Sequence, residues 1–212
     1  MVIAIDGPAG AGKSTVARGL AEELGFTYLD SGAMYRCVAL TCLEWGADPN
    51  ASGEATSTAE SIEIGFDDGE VLIDGVPVTD EIRTPEVTEA ASQVSVHPGV
   101  REAMVTEQRR LIAAGPFVAE GRDIATVVSP DSPLKIFLTA SPEERAERRA
   151  AQTGADVSEV LAAQEDRDRR DSEREHGALL VADDAVTIDS TGLTPDEVIS
   201  RIAGLARERG LA

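Results

Sequence analysis

The stretch AIDGPAGAGKST, residues 4–15, is the most informative part of the sequence, because its residues 7–14 match the pattern G-x-x-x-x-G-K-[ST] in full. The apolar run at its start predicts a short buried strand, and the helical spacing that begins at Val16 predicts a helix after it. In such a strand-loop-helix unit the backbone N–H groups converge on phosphate oxygens, Lys13 reaches the outer phosphates, and the Ser14 hydroxyl can bind Mg²⁺. We therefore expect the loop to hold the triphosphate of a nucleotide.

This loop is shared by GTPase switches, motor ATPases and small-molecule kinases. A GTPase usually carries an N-K-x-D segment that reads guanine, whereas the sole lysine after Lys13 is Lys135, in the segment LKIFL. The sequence therefore argues against a GTPase. We assign the triphosphate, taken to be that of ATP, to the residues Gly7, Pro8, Ala9, Gly10, Ala11, Gly12, Lys13, Ser14 and Thr15.

The balance of charge narrows the choice of partners. The chain has 39 acidic and 19 basic residues and a formal net charge of −20, which argues against a nucleic-acid surface. No apolar run approaches the roughly 18 to 20 residues of a membrane helix, and no basic leader precedes the loop, so we expect a cytoplasmic protein without a membrane partner. Cys37 and Cys42 are interpreted as helix packing rather than as a disulfide or a metal clip.

The order of segments along the first part of the chain is typical of a parallel α/β sheet. The segment FTYLD predicts a second strand that ends at Asp30, followed by a turn at Ser31-Gly32 and a helix from about Ala33 to Trp45. From 46 to about 84, the short runs IEIGF, EVLID and GVPVT between turn residues predict a small hairpin or three-stranded sheet.

Helices and strands alternate again in the rest of the chain. Helical spacing covers 86–96 and 100–114, with Pro98-Gly99 between the two helices. The segments PFVAEGRD and LKIFLTA predict buried strands, and Ser141 predicts an N-cap for the helix that follows. A last strand, DAVTIDST, precedes an amphipathic closing helix.

Arginine groups indicate a second anion site, which an enzyme that transfers a phosphoryl group needs. The candidates are Arg36 in YLDSGAMYR, then Arg101 in VREAM with Arg122 and Asp123 in EGRD, and finally Arg167, Arg170 or Asp171, and Arg174 on one face of the predicted helix RDRRDSER. Beside a phosphate loop, the third group is interpreted as a mobile arginine lid. Neither His97 nor His176 lies in a general-base arrangement, and a monophosphate acceptor needs none because its oxygen is already ionised.

With IDGPAGAGKST, LDSGAMYR, IRTPEV, AASQVS, VREAM, EGRDIATVV, KIFLTAS and RDRRDSER in this order, the chain resembles the bacterial cytidylate kinases along nearly its whole length. The resemblance implies a single nucleoside monophosphate kinase domain with a three-layer P-loop NTPase core and a central parallel sheet. It implies a core of about 1–45, 98–152 and 177–212, a β-rich inserted lobe of about 46–97 that binds the monophosphate, and a helical lid of about 153–176.

The resemblance further implies transfer of the γ-phosphoryl group of MgATP to CMP or dCMP by a monomer. Lys13, Arg122, Arg167 and Arg174 would act on the transferred group. The predicted CMP residues are Asp30, Ser31, Tyr35, Arg36, Ser92, Arg101, Arg122, Asp123, Arg167, Asp171 and Arg174. Among them Arg36 and Arg122 would grip the acceptor phosphate. Ser92, Arg101 and Asp123 would read the cytosine, and Arg167 and Asp171 would lie near the ribose.

Two positions depart from the family's pattern. Glu120 stands where the family commonly has aspartate, and Ala125 stands where it has glycine. We expect Ser14 to bind Mg²⁺ directly and Glu120 to bind it through water, with a geometry shifted by the longer side chain. Ala125 is expected to cost backbone freedom near the site.

Two other functions stay open at this point. A kinase of the same fold could prefer UMP or another monophosphate, depending on whether Asp123 and Ser92 demand an amine at the pyrimidine 4-position. A sensor could bind ATP without transferring a phosphoryl group, although a sensor has no need of so many ligands on an acceptor side.

Overall fold

The structure is a computed structural model that describes residues 1–67, 69–173 and 177–211. The strands are β1 (Val2–Asp6), β2 (Thr27–Asp30), β3 (Ile64–Asp67), β4 (Glu70–Ile73), β5 (Val76–Pro77), β6 (Phe117–Gly121), β7 (Leu134–Thr139) and β8 (Val186–Asp189). The helices are α1 (Lys13–Leu24), α2 (Ser31–Trp45), α3 (Ser52–Ser61), α4 (Pro85–Val94), α5 (Pro98–Ile112), α6 (Pro142–Thr153), α7 (Val157–Ser172) and α8 (Pro195–Glu208). The chain divides into two compact units, unit 1 from residues 1–29 and 112–212 and unit 2 from residues 30–111.

Unit 1 is built on a central sheet with the strand order β2-β6-β1-β7-β8. The strand β1 runs parallel to β6 and to β7, and β7 runs parallel to β8, so the predicted parallel α/β sheet is confirmed. Since β1 is central and fully buried, its carboxyl end at Asp6 delivers the phosphate loop to the edge where parallel strands of α/β proteins present their ligand sites.

The core of unit 1 explains why alternate residues of β1 and β7 are large and apolar. The helices α1 and α8 pack against each other, and their apolar faces cover the sheet. The buried side chains that meet there include Ile3, Ile5, Val16, Leu20, Leu134, Ile136, Leu138, Ile188, Val198 and Ile202.

Helix ends in unit 1 follow their capping residues. Ser141 accepts a hydrogen bond from the backbone N–H of Glu144, which confirms its prediction as the N-cap of α6. Thr194 and Glu197 form a reciprocal capping box at the start of α8. These caps define where the two helices begin.

Unit 2 contains the predicted small sheet together with a helix that the sequence did not reveal. The strands β3, β4 and β5 pair antiparallel in that order, as expected from the alternating turn residues. The helix α3 lies in a stretch rich in Ser, Thr, Gly and Ala, which lacks the apolar periodicity of a helix. Packing of its buried Ala55 and Ala59 stabilises it, and α2 contacts both α3 and α4.

Two predicted boundaries in unit 2 were wrong. The helix α2 begins at Ser31 rather than Ala33, because the Asp30 side chain accepts a hydrogen bond from Ala33 N at 2.9 Å and caps it. Pro98 opens α5 instead of separating two helices, since proline is well accommodated in the first turn of a helix.

The boundaries of unit 2 differ from those of the predicted insert, 46–97, because unit 2 also contains α2 and most of α5. The small sheet and α3 both fall inside the predicted insert. The predicted lid of 153–176 contains α7, and its last three residues lie outside the described part of the chain. Within the described residues, no helix has the length and apolar character needed to cross a membrane.

Candidate nucleotide-binding site

The loop between β1 and α1 approaches the neighbouring backbone so closely that a side chain would not fit. A Cβ atom on Gly7 would lie 1.9 Å from the carbonyl oxygen of Leu138 in β7. Gly12, at the start of α1, has φ 90° and ψ 12°, a left-handed conformation that suits glycine. Within the part of the chain that the structure describes, no side chain caps α1, so its first N–H groups are available to an anion.

Lys13 is buried under this loop and its ammonium donates to the carbonyl oxygen of Pro8 at 2.9 Å. Burial lowers the pKa of Lys13 to about 7, and the nearby positive charge of Arg122 acts in the same direction. Glu120 and Asp6 oppose this shift. The Lys13 amine is therefore poised to gain a proton when a phosphate arrives.

Arg122 follows β6 and reaches the same loop. Its Nη1 donates to the carbonyl oxygen of Gly7 at 2.6 Å, and its Nε donates to Asp171 Oδ2 of α7 at 2.8 Å. Arg167 Nε lies 4.0 Å from the same Asp171 oxygen. Three residues that the sequence predicted for the substrate phosphates and ribose thus meet within unit 1.

The predicted Arg174 and His176 lie outside the described residues. Asp123 begins the segment after Arg122 and is buried. Its carbonyl oxygen accepts from Val127 N at 2.8 Å, at the start of a single π-helical turn over Ile124–Val128. Such turns within a chain are frequent at functional sites.

Asp6 is a residue of the site that sequence reasoning missed. Its carboxylate accepts from the backbone N–H groups of Ile124 at 2.9 Å and Ala125 at 2.7 Å, and so ties the end of β1 to the π-helical turn. Burial raises the pKa of Asp6 to about 6, although both backbone hydrogen bonds oppose the shift. A buried aspartate at the end of a central strand is the signal that could have identified it.

The backbone strain expected at Ala125 is absent, because Ala125 does not have a positive φ. Among the described residues, Asp74 is the single non-glycine residue that does. Ala125 therefore adopts a conformation open to any L-residue, and its N–H is held by Asp6.

The residues predicted for Mg²⁺ have suitable chemistry. The side chain of Glu120 is buried on β6, and its Oε1 accepts from the hydroxyl of Tyr28 on β2. Ser14 is exposed in the first turn of α1, directly after Lys13. In the described part of the chain, no group of three or more His, Cys, Asp or Glu side chains could hold a metal ion by itself. This donor set fits Mg²⁺, which proteins hold through few side chains together with water and phosphate oxygens.

Unit 2 holds the other predicted acceptor residues. The guanidinium of Arg101 lies 5.8 Å from the centre of the Tyr35 ring, and its Nη1 donates to the carbonyl oxygen of Ser95 at 3.4 Å. Ser95 Oγ in turn donates to the carbonyl oxygen of Ser92 at 3.0 Å. The structure thus joins Tyr35, Ser92 and Arg101 in one buried group between α2, α4 and α5.

The remaining predicted residues of unit 2 lie on α2 or next to it. Asp30 is the N-cap of this helix, Ser31 is its first residue, and Arg36 is half-buried one turn further on. Cys37 and Cys42 are buried free cysteines of the same helix, as expected for packing residues. His97 Nε2 donates to the carbonyl oxygen of Pro49 at 2.8 Å, which is a structural contact.

We predict that nucleotide binding at pH 8 takes up a proton at Lys13. The free protein holds much of this amine neutral, whereas a bound phosphate restores its usual high pKa; the phosphates of ADP are already fully ionised at this pH. We expect about one proton per ADP from calorimetry in buffers of different ionisation enthalpy. The matched variant is Lys13→Arg, whose guanidinium is charged in both states, so it should bind without uptake. Equal proton uptake by both proteins would contradict the prediction.

Comparison with known proteins places this chain in a family. The family model described as cytidylate kinase matches residues 3–208. A cytidylate kinase of Solibacter usitatus (strain Ellin6076) is 46% identical over 99% of this chain and 93% of its own length. One of Mycobacterium leprae (strain Br4923) is 46% identical over 99% of this chain and 96% of its own. A bifunctional pantoate ligase/cytidylate kinase of Synechococcus sp. (strain CC9311) is 48% identical over 98% of this chain, which spans only 44% of that protein.

Solved structures agree on the fold. An uncharacterized protein from Eubacterium ventriosum ATCC 27560 has a TM-score of 0.59 at 17% identity, with 98% of each chain covered. Shikimate kinase from Acinetobacter baumannii, in complex with shikimate, has a TM-score of 0.50 at 18% identity, with 100% of this chain and 95% of that chain covered. On the strength of the family match and the close relatives, this chain belongs to the cytidylate kinase family.

Proposed function

We propose that this chain transfers the γ-phosphoryl group of MgATP to CMP or dCMP and releases ADP with CDP or dCDP. The observation that carries the proposal is the pair of cations on the phosphate loop. Lys13 and Arg122 donate to the adjacent carbonyl oxygens of Pro8 and Gly7 at 2.9 Å and 2.6 Å. One belongs to the loop motif and the other to a segment 109 residues later in the chain, and a transferred phosphoryl group needs positive charge from both sides.

The chemistry asks little of the protein beyond charge and position. The acceptor oxygen of a nucleoside monophosphate is already ionised, so no general base is required. The barrier falls when negative charge on the transferred group is neutralised and the attacking and leaving oxygens are held in line. Lys13, Arg122 and Arg167 provide this charge in unit 1, and we assign the same task to Arg174.

On the donor side, we propose that residues 7–15 bind the phosphates of ATP through backbone N–H groups, Lys13 and the start of α1. Ser14 would bind Mg²⁺ directly and Glu120 would bind it through water. Bound Mg²⁺ neutralises charge on the β- and γ-phosphates. Tyr28 orients Glu120 by donating to its Oε1, so the longer side chain is held in one position.

On the acceptor side, we assign Arg36 and Arg122 to the phosphate of CMP, with Tyr35, Asp30 and Ser31 beside it. The base would be read by three residues. The Asp123 carboxylate accepts from the exocyclic amine of cytosine, Arg101 donates to the ring carbonyl and nitrogen, and Ser92 contacts the same base. The cation–π contact with Tyr35 supports this role of Arg101, because it holds the guanidinium in place before substrate arrives.

We further propose that α7 acts as a lid. Asp171 and Arg167 would turn to the ribose and phosphates when the nucleotides bind, and closure would exclude water as a competing acceptor. We also propose that the protein is a monomer that acts on small nucleotides in the cytoplasm, in pyrimidine nucleotide metabolism.

An assay of ADP release with MgATP tests the function across acceptors. We expect fast release with CMP and dCMP, slow release with UMP, and hardly any with AMP, GMP or no acceptor. The Lys13→Ala variant serves as the background control and should lose on the order of 3 kcal/mol or more of transition-state stabilisation. Fast release with UMP alone would favour a uridylate kinase, and ATP binding without any release would favour a sensor. Release that is independent of acceptor would reject a cytidylate pocket.

The assignment of Asp123 to the base generates a selectivity test. We expect Asp123→Asn to lower the preference for CMP over UMP by about tenfold or more, because the new amide can donate to the uracil 4-carbonyl, which a carboxylate repels. The measurement is the ratio of kcat/KM values for the two acceptors. The exposed Asp131→Asn provides a matched control and should keep the parent ratio. If Asp123→Asn also keeps it, another residue reads the base.

A further inference from the structure

A third cation holds the phosphate loop, and no role has yet been assigned to it. The carbonyl oxygens of three consecutive loop residues each accept from a different cationic side chain: Gly7 from Arg122 at 2.6 Å, Pro8 from Lys13 at 2.9 Å, and Ala9 from Arg145 Nη1 at 2.9 Å. Arg145 lies on α6, and the other two cations are residues already assigned to the phosphates. The phosphate roles of Lys13 and Arg122 therefore do not account for the contact of Arg145 with Ala9.

Arg145 differs from Lys13 in having a carboxylate partner, and it differs from Arg122 in that one nitrogen, Nη1, contacts both the loop carbonyl and the carboxylate. The same Nη1 that donates to Ala9 also donates to Asp168 Oδ2 of α7 at 2.6 Å. The arginine side chain is 7% exposed and that of Asp168 is 22% exposed, so little water competes for the pair. Gln164, one turn earlier on α7, donates from its Nε2 to the carbonyl oxygen of Arg145 at 3.3 Å. Helix α7 thus forms hydrogen bonds with both the backbone and the side chain of Arg145.

The contact of the loop with this group is close. A Cβ atom on Gly10 would lie 3.0 Å from Cβ and from the carbonyl oxygen of Arg145, and 2.9 Å from Gln164 Nε2. The loop at Gly10 therefore rests directly on α6 and α7. Any movement of Arg145 changes the space into which the Ala9–Gly10 peptide fits.

Peptide geometry turns this contact into an effect on phosphate binding. In a planar trans peptide the carbonyl of one residue and the N–H of the next point in opposite directions. When Arg145 holds the Ala9 carbonyl on one side, the N–H of Gly10 must face the other side. In a phosphate loop the N–H groups belong on the concave side, where the phosphates bind.

We propose that Arg145 is a positioning residue, which aims the Gly10 N–H at the nucleotide phosphates through the Ala9 carbonyl and is itself held by Asp168. Lys13 and Arg122 leave their carbonyls for the phosphates when nucleotide binds, whereas Arg145 stays, because α7 holds it at two points: Asp168 binds its side chain and Gln164 binds its backbone carbonyl. The inference deepens the proposed function on the donor side and does not depend on which acceptor is used.

The test is the affinity of the full-length protein for ADP, measured by calorimetry without acceptor. We expect Arg145→Gln to weaken ADP binding about tenfold or more and Asp168→Asn to weaken it by a smaller factor. In the double variant the loss should be no larger than that of Arg145→Gln alone, because both residues act through one contact. The control is Arg207→Gln, which removes an exposed arginine that pairs with Glu23, and it should bind ADP like the parent.

Two further readouts separate positioning from a general loss of structure. The backbone ¹⁵N–¹H resonance of Gly10, which shifts when ADP binds to the parent, should shift less in Arg145→Lys and Asp168→Asn variants that melt within a few degrees of the parent. In steady-state kinetics KM for ATP should rise while KM for CMP at saturating ATP stays within about twofold. Parent-like ADP affinity in folded Arg145→Gln and Asp168→Asn variants would overturn the proposal. A parent chain that binds ADP but phosphorylates no CMP would instead reject the proposed function and leave this inference standing.

Discussion

The site depends on how the carbonyl groups of one short loop are held. Three basic side chains converge on the oxygens of Gly7, Pro8 and Ala9, and each hydrogen bond keeps a basic group close to the loop. Cations buried together repel one another and lose hydration, as the lowered pKa of Lys13 reflects. Loop carbonyls and the carboxylates of α7 compensate for that cost in the structure described, and a bound nucleotide would compensate for it more fully. The same arrangement therefore holds basic groups at the loop and favours an anionic ligand.

This cluster of basic side chains sits in a chain whose net charge is −20. An anionic protein repels phosphates on average, so a site for phosphate on such a protein needs clustered basic side chains. On α7, the carboxylates of Asp171 and Asp168 each pair with an arginine next to the loop. If Arg122 turns to a bound phosphate, its pair with Asp171 is released while the Arg145–Asp168 pair persists, so a lid on this helix would respond to nucleotide through electrostatics as well as through shape.

Much of the fold could be predicted from the sequence, since the loop motif has a mechanism and the buried strands have a clear apolar pattern. The parallel sheet, the small antiparallel sheet and the N-cap at Ser141 all follow from local rules. The helix α3 was missed because alanine packing and not periodicity stabilises it. In the site, Asp6 and Arg145 were missed for a different reason. Both act on backbone groups more than a hundred residues away, and no local pattern records such partners.

The most direct test of the central claim follows the phosphorus atom itself. Phosphorus-31 NMR of the protein with MgATP and CMP resolves the γ-phosphorus of ATP, the phosphates of CDP and free phosphate in one sample. We expect loss of the γ-phosphorus to be matched by growth of the CDP β-phosphorus and of ADP, without free phosphate. Accumulation of free phosphate with CMP unchanged would show that the loop and its cations activate water, and would contradict the account of a transfer enzyme.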